Sequence, residues 1–166
     1  MIAVLPLFTD QDGFLARSPQ MLGRARAIRS MMDAAPGRVA VYGPENHAGT
    51  PVYVHAKVCV MDDLWATVGS DNFNRRSWTH DSELSAVVVD TSADDHSPYA
   101  RRLRLTLAAE HLDRDVDQED SLPETMADCV EAPDFFTALA DSADRLDGWH
   151  AGGRRGARKT NRTTRT

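Results

Sequence analysis

His55-Ala56-Lys57-Val58-Cys59-Val60-Met61-Asp62-Asp63-Leu64-Trp65-Ala66-Thr67-Val68-Gly69-Ser70-Asp71-Asn72 places two apolar, β-branched runs on either side of a pair of aspartates. Such runs around a turn-forming centre predict a hairpin, with one strand over residues 52–61 and its partner over 65–69. Side chains two apart in a strand share a face, so the His55 imidazole and the Lys57 ammonium can address one ligand together. With Asp62-Asp63 as the turn centre, cross-strand partners sum to 125. That register sets Ser70 opposite His55 and carries the chain to Asn72 beside them. One face then offers a potential nucleophile or acid, a fixed positive charge, and the hydroxyl and amide donors that a phosphoryl oxygen requires.

The chain on either side fits an α/β plan. Residues 2–7 form a short apolar run ended by Thr9-Asp10-Gln11-Asp12-Gly13, which predicts a buried strand. Helical spacing through Leu15, Leu22, Ala25, Ile28 and Met32 predicts a helix over 15–35, stopped by Pro36-Gly37. A strand over 38–42, a loop over 43–51, a buried strand over 84–89 and helices over 97–112 and 133–146 complete the reading. Strand, helix and strand alternation followed by helices predicts an α/β fold with a mixed β-sheet flanked by helices.

Length and composition bound the remainder. The 166 residues suit one ordinary domain, and 42% apolar with 27% charged residues excludes neither a core nor solubility. No run approaches the roughly 18 apolar residues of a spanning helix, and the amino-terminal run lacks the basic start of a secretory signal. The expected location is therefore cytoplasmic. Cys59 and Cys129 have neither disulfide-framework nor zinc spacing and read as free thiols. Residues 154–166 contain six Lys/Arg and no acid, so the rest of the chain sets thirteen basic residues against all 25 acidic ones. An acidic body is a poor match to a phosphate polymer, which disfavours nucleic acid as substrate. The basic tail, 151–166, is expected to be solvated and disordered, with peripheral contact to an anionic membrane surface as its functional alternative.

Each motif residue has an ordinary explanation taken singly, since a lone strand histidine is more often a packed or surface residue than a catalyst. Six specified positions together are another matter, with chance odds on the order of one in a million for a chain of this length. The pattern His55-x-Lys57-x4-Asp62-x6-Gly69-Ser70-x-Asn72 resembles the signature of the phospholipase D superfamily. The likeness extends through Asn72-Phe73-Asn74-Arg75-Arg76-Ser77-Trp78-Thr79-His80-Asp81-Ser82-Glu83, which is similar to the segment after the second motif of bacterial and eukaryotic phospholipases D. It continues to the closing helix ending in Glu110-His111-Leu112, so it covers roughly residues 2–112. The expected organisation is a one-motif catalytic lobe over 1–112, a helical extension over 113–150 and the tail.

The resemblance implies catalysis by two histidines with no metal or other cofactor. One histidine attacks phosphorus to form a phosphohistidine, and the other protonates the leaving alcohol and later activates water. On this chain it implies that His55 is one of the pair. Lys57 and Asn72 hold nonbridging oxygens with support from Ser70, and Glu83 orients His55 through its second ring nitrogen. Asp62 and Gly69 read as structural members of the motif, Asp62 stabilising the turn.

None of the six histidines supplies a second His-x-Lys. His80, without a lysine two residues on, reads as a loop histidine. A complete site therefore needs a homodimer mate or a second motif-bearing lobe. The immediate start of the first strand, with flanks like those of a second lobe, points to truncation or an alternative start as one source of the missing half. Three functions stay open at this stage. A phosphodiesterase or phosphatidyl transferase acting on phospholipid leads, ahead of a dimeric nuclease of the same superfamily and a silent lobe serving as a binding module. Trp65 and Trp78 read as packing residues, with a lipid-accepting mouth as the alternative for Trp78. Arg75 and Arg76 read as salt-bridging residues or phosphate ligands. The acidic stretch 113–119 lacks Ca²⁺-loop spacing and reads as a solvated connection.

Overall fold

The computed structural model describes residues 1–7, 14–46, 50–74, 76–116, 121–150 and 158–159. They form two compact units, one of residues 1–54 with 136–166 and the other of residues 55–135. Parallel and antiparallel strand pairing both occur, with helices between and after the strands, so the class is α/β with mixed pairing.

In the first unit β1 (Ile2–Val4) runs parallel to β2 (Ala40–Gly43), with Ile2 beside Ala40 and Val4 beside Tyr42. Parallel neighbours need a crossover, which α1 (Phe14–Ala34) provides. Pro36-Gly37 ends that helix as expected. Gly37 takes φ +72°, a left-handed conformation that costs glycine nothing. Arg24 holds α1 to the exit of β1 by donating to the carbonyls of Pro6 (2.7 Å) and Leu7 (3.1 Å). β1 is shorter than the predicted 2–7, because Pro6 has no N–H to continue a ladder. Ala40, Val41 and Tyr42 are buried, and so are Leu139 and Ala143 of α4 (Ala132–His150). Arg158–Lys159 pair antiparallel with β2; the rest of the basic tail lies outside the described residues.

The second unit carries the motif. β3 (Val58–Met61), β4 (Trp65–Gly69) and β5 (Ser85–Val88) form an antiparallel meander, followed by α2 (Pro98–His111), the short α3 (Leu122–Thr125) and a single 3-10 turn over Ala127–Cys129. Its core comprises Ala66, Ala100, Leu105, Ala108, Leu122, Met126 and Cys129. α2 begins on a capped turn: Ser97 accepts a hydrogen bond from Ala100 N–H, and Pro98 occupies the first turn, where no N–H is needed. Helix α3 was not predicted from the sequence, being too short to show a periodicity. Arg114, in the stretch read as a solvated connection, pairs with Asp128 and donates to Thr125 O at 3.2 Å.

The hairpin departs from its predicted register. Val58 pairs with Val68 and Met61 with Trp65, so partners sum to 126 rather than 125. The loop holds three residues, Asp62, Asp63 and Leu64. Both aspartates have positive φ (51° and 56°), and Leu64 N–H donates back to Met61 O at 2.8 Å. The cause is tertiary. Asp63 sits at the centre of the turn because its carboxylate is taken by α2: Arg104 donates to both oxygens at 2.6 Å and Arg101 adds a bond of 3.2 Å. Arg104 also donates to the carbonyls of Cys129 and Val130, each at 2.7 Å, and lies 5.2 Å over the Phe135 ring. Among the described residues no helix is long and apolar enough to cross a membrane.

Candidate active site

The site is built at the end of the hairpin away from its turn. Regular pairing begins at Val58, so His55 and Lys57 lie in the extended segment before β3 and not in a strand over 52–61. The ladder closes with Gly69 N–H donating to Lys57 O at 3.0 Å, after which the chain leaves β3 and stays with β5: Ser70 N–H donates to Leu84 O at 3.0 Å. Continued one step, the register sets Ser70 across from Ala56. The hairpin therefore does not place Ser70 opposite His55, which corrects the expected cross-strand pair.

A different set of contacts gathers the motif. Hydrogen bonding by Ser70, then Ser77, holds Glu83 below the usual carboxylate range against the opposing effect of burial, with smaller help from the Lys57 and Arg76 charges, so it stays ionised. Asn72 Nδ2 donates to Ser77 Oγ at 3.3 Å, and Ser77 N–H is fixed by Asn74 Oδ1 at 2.8 Å. Lys57 Nζ turns back onto the carbonyl of His55 at 2.7 Å. Asn72 is thus joined to Ser77 and Lys57 to the His55 backbone, while Ser70, Ser77, Lys57 and Arg76 are the groups that act on the Glu83 charge.

Sequence reading missed Ser77. It is buried while His55, Ser70 and Asn72 are exposed, and its hydroxyl accepts from the Asn72 amide. Its only signal in the sequence was its place inside the extended motif.

Gly69 is required for space. A Cβ there would collide with Ser85 Oγ and come within 2.5 Å of Ser85 Cα and 2.6 Å of Leu84 O. Ser85 Oγ in turn makes a very short hydrogen bond to Asp71 Oδ2. Asp62 is exposed at the turn, where Asp63 makes the buried ion pair. His80 is exposed with Nδ1 2.5 Å from Thr79 Oγ1, and Arg76 pairs with Asp81 at 2.9 Å. Arg75 lies outside the described residues. Trp65 is half-buried, whereas Trp78 is 63% exposed, so the packing role expected of Trp78 is corrected. Cys59 and Cys129 are free thiols. Among the described residues no three His, Cys, Asp or Glu side chains gather into a metal-binding group.

The donor inventory separates the roles these groups can take. The Ser70 hydroxyl accepts from Leu84 N–H at 3.0 Å and lies 3.5 Å from Leu84 O, to which its one proton can be donated. Lys57 and Asn72 carry three and two N–H groups, so each has donors beyond the single contact described. Lys57 and Asn72 can therefore each donate to an anionic oxygen-rich group.

A family model described as cardiolipin synthase, PLD-like domain, matches residues 17–103, which include every motif residue from His55 to Glu83. The chain is 42% identical over 86 residues to phospholipase D1 of Schizosaccharomyces pombe, covering 44% of this chain and 6% of that protein. It is 32% identical over 103 residues to phospholipase D zeta 1 of Arabidopsis thaliana, covering 55% and 9%. To a phospholipase D of Phytophthora infestans it is 33% identical over 105 residues, covering 52% and 6%. The chain thus spans less than a tenth of the length of these relatives. No solved structure matches it. With the family model covering more than half of its length, the protein belongs to the phospholipase D superfamily.

Proposed function

We propose that the chain supplies one half of a phospholipase D-type phosphodiesterase or phosphatidyl-transferase site that acts on phospholipid through a phosphohistidine. The observation that carries this reading is the complete single motif from His55 to Glu83 inside the family match, at the open end of the hairpin, with Lys57 and Asn72 retaining N–H donors and Glu83 ionised. The relatives, each named a phospholipase D, support lipid over nucleic acid, as does the acidic body.

In the proposed reaction an imidazole nitrogen bonds to phosphorus as the bond to the leaving alcohol breaks, and the departing alkoxide takes a proton from the second histidine. Water or an acceptor alcohol then gives its proton to that histidine and attacks phosphorus, releasing the first imidazole. Lys57 and Asn72 donate to the nonbridging oxygens as negative charge builds there, and Ser70 keeps Glu83 in place. The Glu83 carboxylate has lone pairs beyond those taken by Ser70 and Ser77, and accepts the N–H of the far His55 nitrogen, fixing its tautomer. One motif cannot complete the cycle. With His55 as nucleophile the leaving alkoxide has no positioned acid, and with His55 as acid there is no strong nucleophile. The second histidine comes from a homodimer mate or from another motif-bearing lobe.

The test measures phosphatidylcholine hydrolysis and transfer to ethanol over a range of protein concentrations, with light scattering, for the native chain and His55→Ala. Activity that rises with assembly and vanishes in His55→Ala is expected. Robust turnover by a strict monomer contradicts the half-site.

A further inference from the structure

Two large aromatic side chains stand open beside the site. Phe73 is 72% and Trp78 63% exposed, and their rings meet edge to face at 87° with centroids 5.0 Å apart. Each adjoins a member of the polar network, Phe73 following Asn72 and Trp78 following Ser77, and the side chains of Asn72 and Ser77 are hydrogen bonded to each other. Ser77 N–H donates to Asn74 Oδ1, and the N–H groups of Thr79, His80 and Asp81 converge on Arg76 O. Both rings therefore flank in sequence the hydrogen-bonded pair Asn72 and Ser77, and both are open to solvent. Arg76, between them in sequence, has a side chain 74% exposed.

From this we infer that Phe73 and Trp78 form an interfacial anchor that enters the headgroup and upper acyl region of a zwitterionic phospholipid surface, bringing the Lys57 and Asn72 donors to phosphate depth. The inference rests on the phospholipid reading of the site. Area decides against a protein occupant: two rings present at most about 150–250 Å² each, well below the roughly 800 Å² per partner that a stable protein interface buries. Aromatic rings with a neighbouring arginine are the composition that settles at a membrane–water interface. Charge selects the lipid, because thirteen basic residues against 25 acidic ones outside the tail repel an anionic surface. Insertion of rings, unlike attraction of charges, survives high salt.

The experiment uses the full chain and vesicles of phosphatidylcholine, with and without an anionic lipid, in low and high salt. Co-sedimentation gives the partition coefficient, and vesicles carrying brominated acyl chains report ring depth by quenching tryptophan fluorescence. Native protein is expected to bind phosphatidylcholine at both salt concentrations, with quenching that Trp78→Phe removes while partition stays within about threefold. The double variant Phe73→Ala/Trp78→Ala is expected to lose at least tenfold in partition with its near-ultraviolet melting transition retained. Equal partition by the double variant, binding that needs anionic lipid and disappears in salt, or a change in self-association instead of vesicle binding overturns the anchor. Failure of the phosphate site reads out separately. Lys57→Ala that leaves the binding of monomeric dibutyrylphosphatidylcholine unchanged overturns that site even when the anchor holds.

Discussion

The two ends of the β3–β4 hairpin are built on opposite principles. At the turn, Asp63 is taken out of water and ion-paired, its carboxylate filled by Arg104 and Arg101, with side chains of Asp63 and Arg104 only 10% and 14% exposed. At the other end, regular pairing stops, His55, Ser70 and Asn72 are exposed, and the Glu83 carboxylate stays charged. Charge at the turn is satisfied permanently, and so serves the fold. Charge at the open end retains donors that no contact has used up, and so can serve a ligand. Sequence position hides this difference, because Asp62 and Asp63 lie inside the motif as fully as Lys57 does.

The sharpest way to break the comparison is to remove the buried carboxylate. Asp63→Asn strands Arg104 without its counter-charge and is expected to lower stability by about 3 kcal/mol. Lys57→Ala at the open end is expected to change it by less than about 0.5 kcal/mol. Chemical denaturation of both variants decides this. Acid probes the same pair. Burial by itself pushes Asp63 upward, but the hydrogen bonds and charge of Arg104, then Arg101, outweigh it and hold the folded pKa below the ordinary value. The contribution is thus complete above the unfolded-state pKa of about 3.9 and is lost as pH falls through the lower folded value. A denaturation series from neutral to strongly acidic pH is expected to show that limb in the native chain and to lack it in Asp63→Asn.

Next in size is Gly69→Ala. The added methyl meets the backbone at Leu84 and Ser85, which cannot swing aside, so β4 and β5 must part locally at about 1–3 kcal/mol. Because Ser70 and Glu83 flank that contact, the substitution is also expected to release the Glu83 network, seen as a rise in the Glu83 pKa by NMR titration. A smaller loss than at Asp63 or Gly69 is assigned to Ser77→Ala, which removes one hydroxyl link and is expected to cost about 1 kcal/mol in stability. It should shift the Asn72 side-chain amide resonances without disturbing those of the hairpin turn.

What the sequence disclosed, and what it withheld, divides along the same line. The crossover unit of β1, α1 and β2, the hairpin strands and α2 follow from local patterning, and Pro36-Gly37 and Ser97-Pro98 mark boundaries by backbone chemistry alone. The register did not, because the length of the 62–64 loop depends on arginines about forty residues away that capture Asp63. An adjacent Asp-Asp pair cannot show which member will be buried. At the site, Lys57, Ser70, Asn72 and Glu83 were read as a set from the motif, but the geometry around them was not legible. It runs along the β4–β5 pairing and through Ser77, whereas alternation in the hairpin pointed to His55 and Ser70 as partners. Trp78 was misread for a related reason: size and apolarity argue for packing, and only the structure shows the ring exposed.

The account rests on phosphate binding at the open end, which nuclear magnetic resonance can locate directly. Titration of the full chain with dibutyrylphosphatidylcholine below its micellar concentration is expected to move the side-chain signals of His55, Lys57 and Asn72 together along one binding curve. The turn signals of Asp63 and Arg104 should stay in place. Saturable shifts confined to the turn or to another surface, or an unmoved His55 imidazole at saturation, would contradict it.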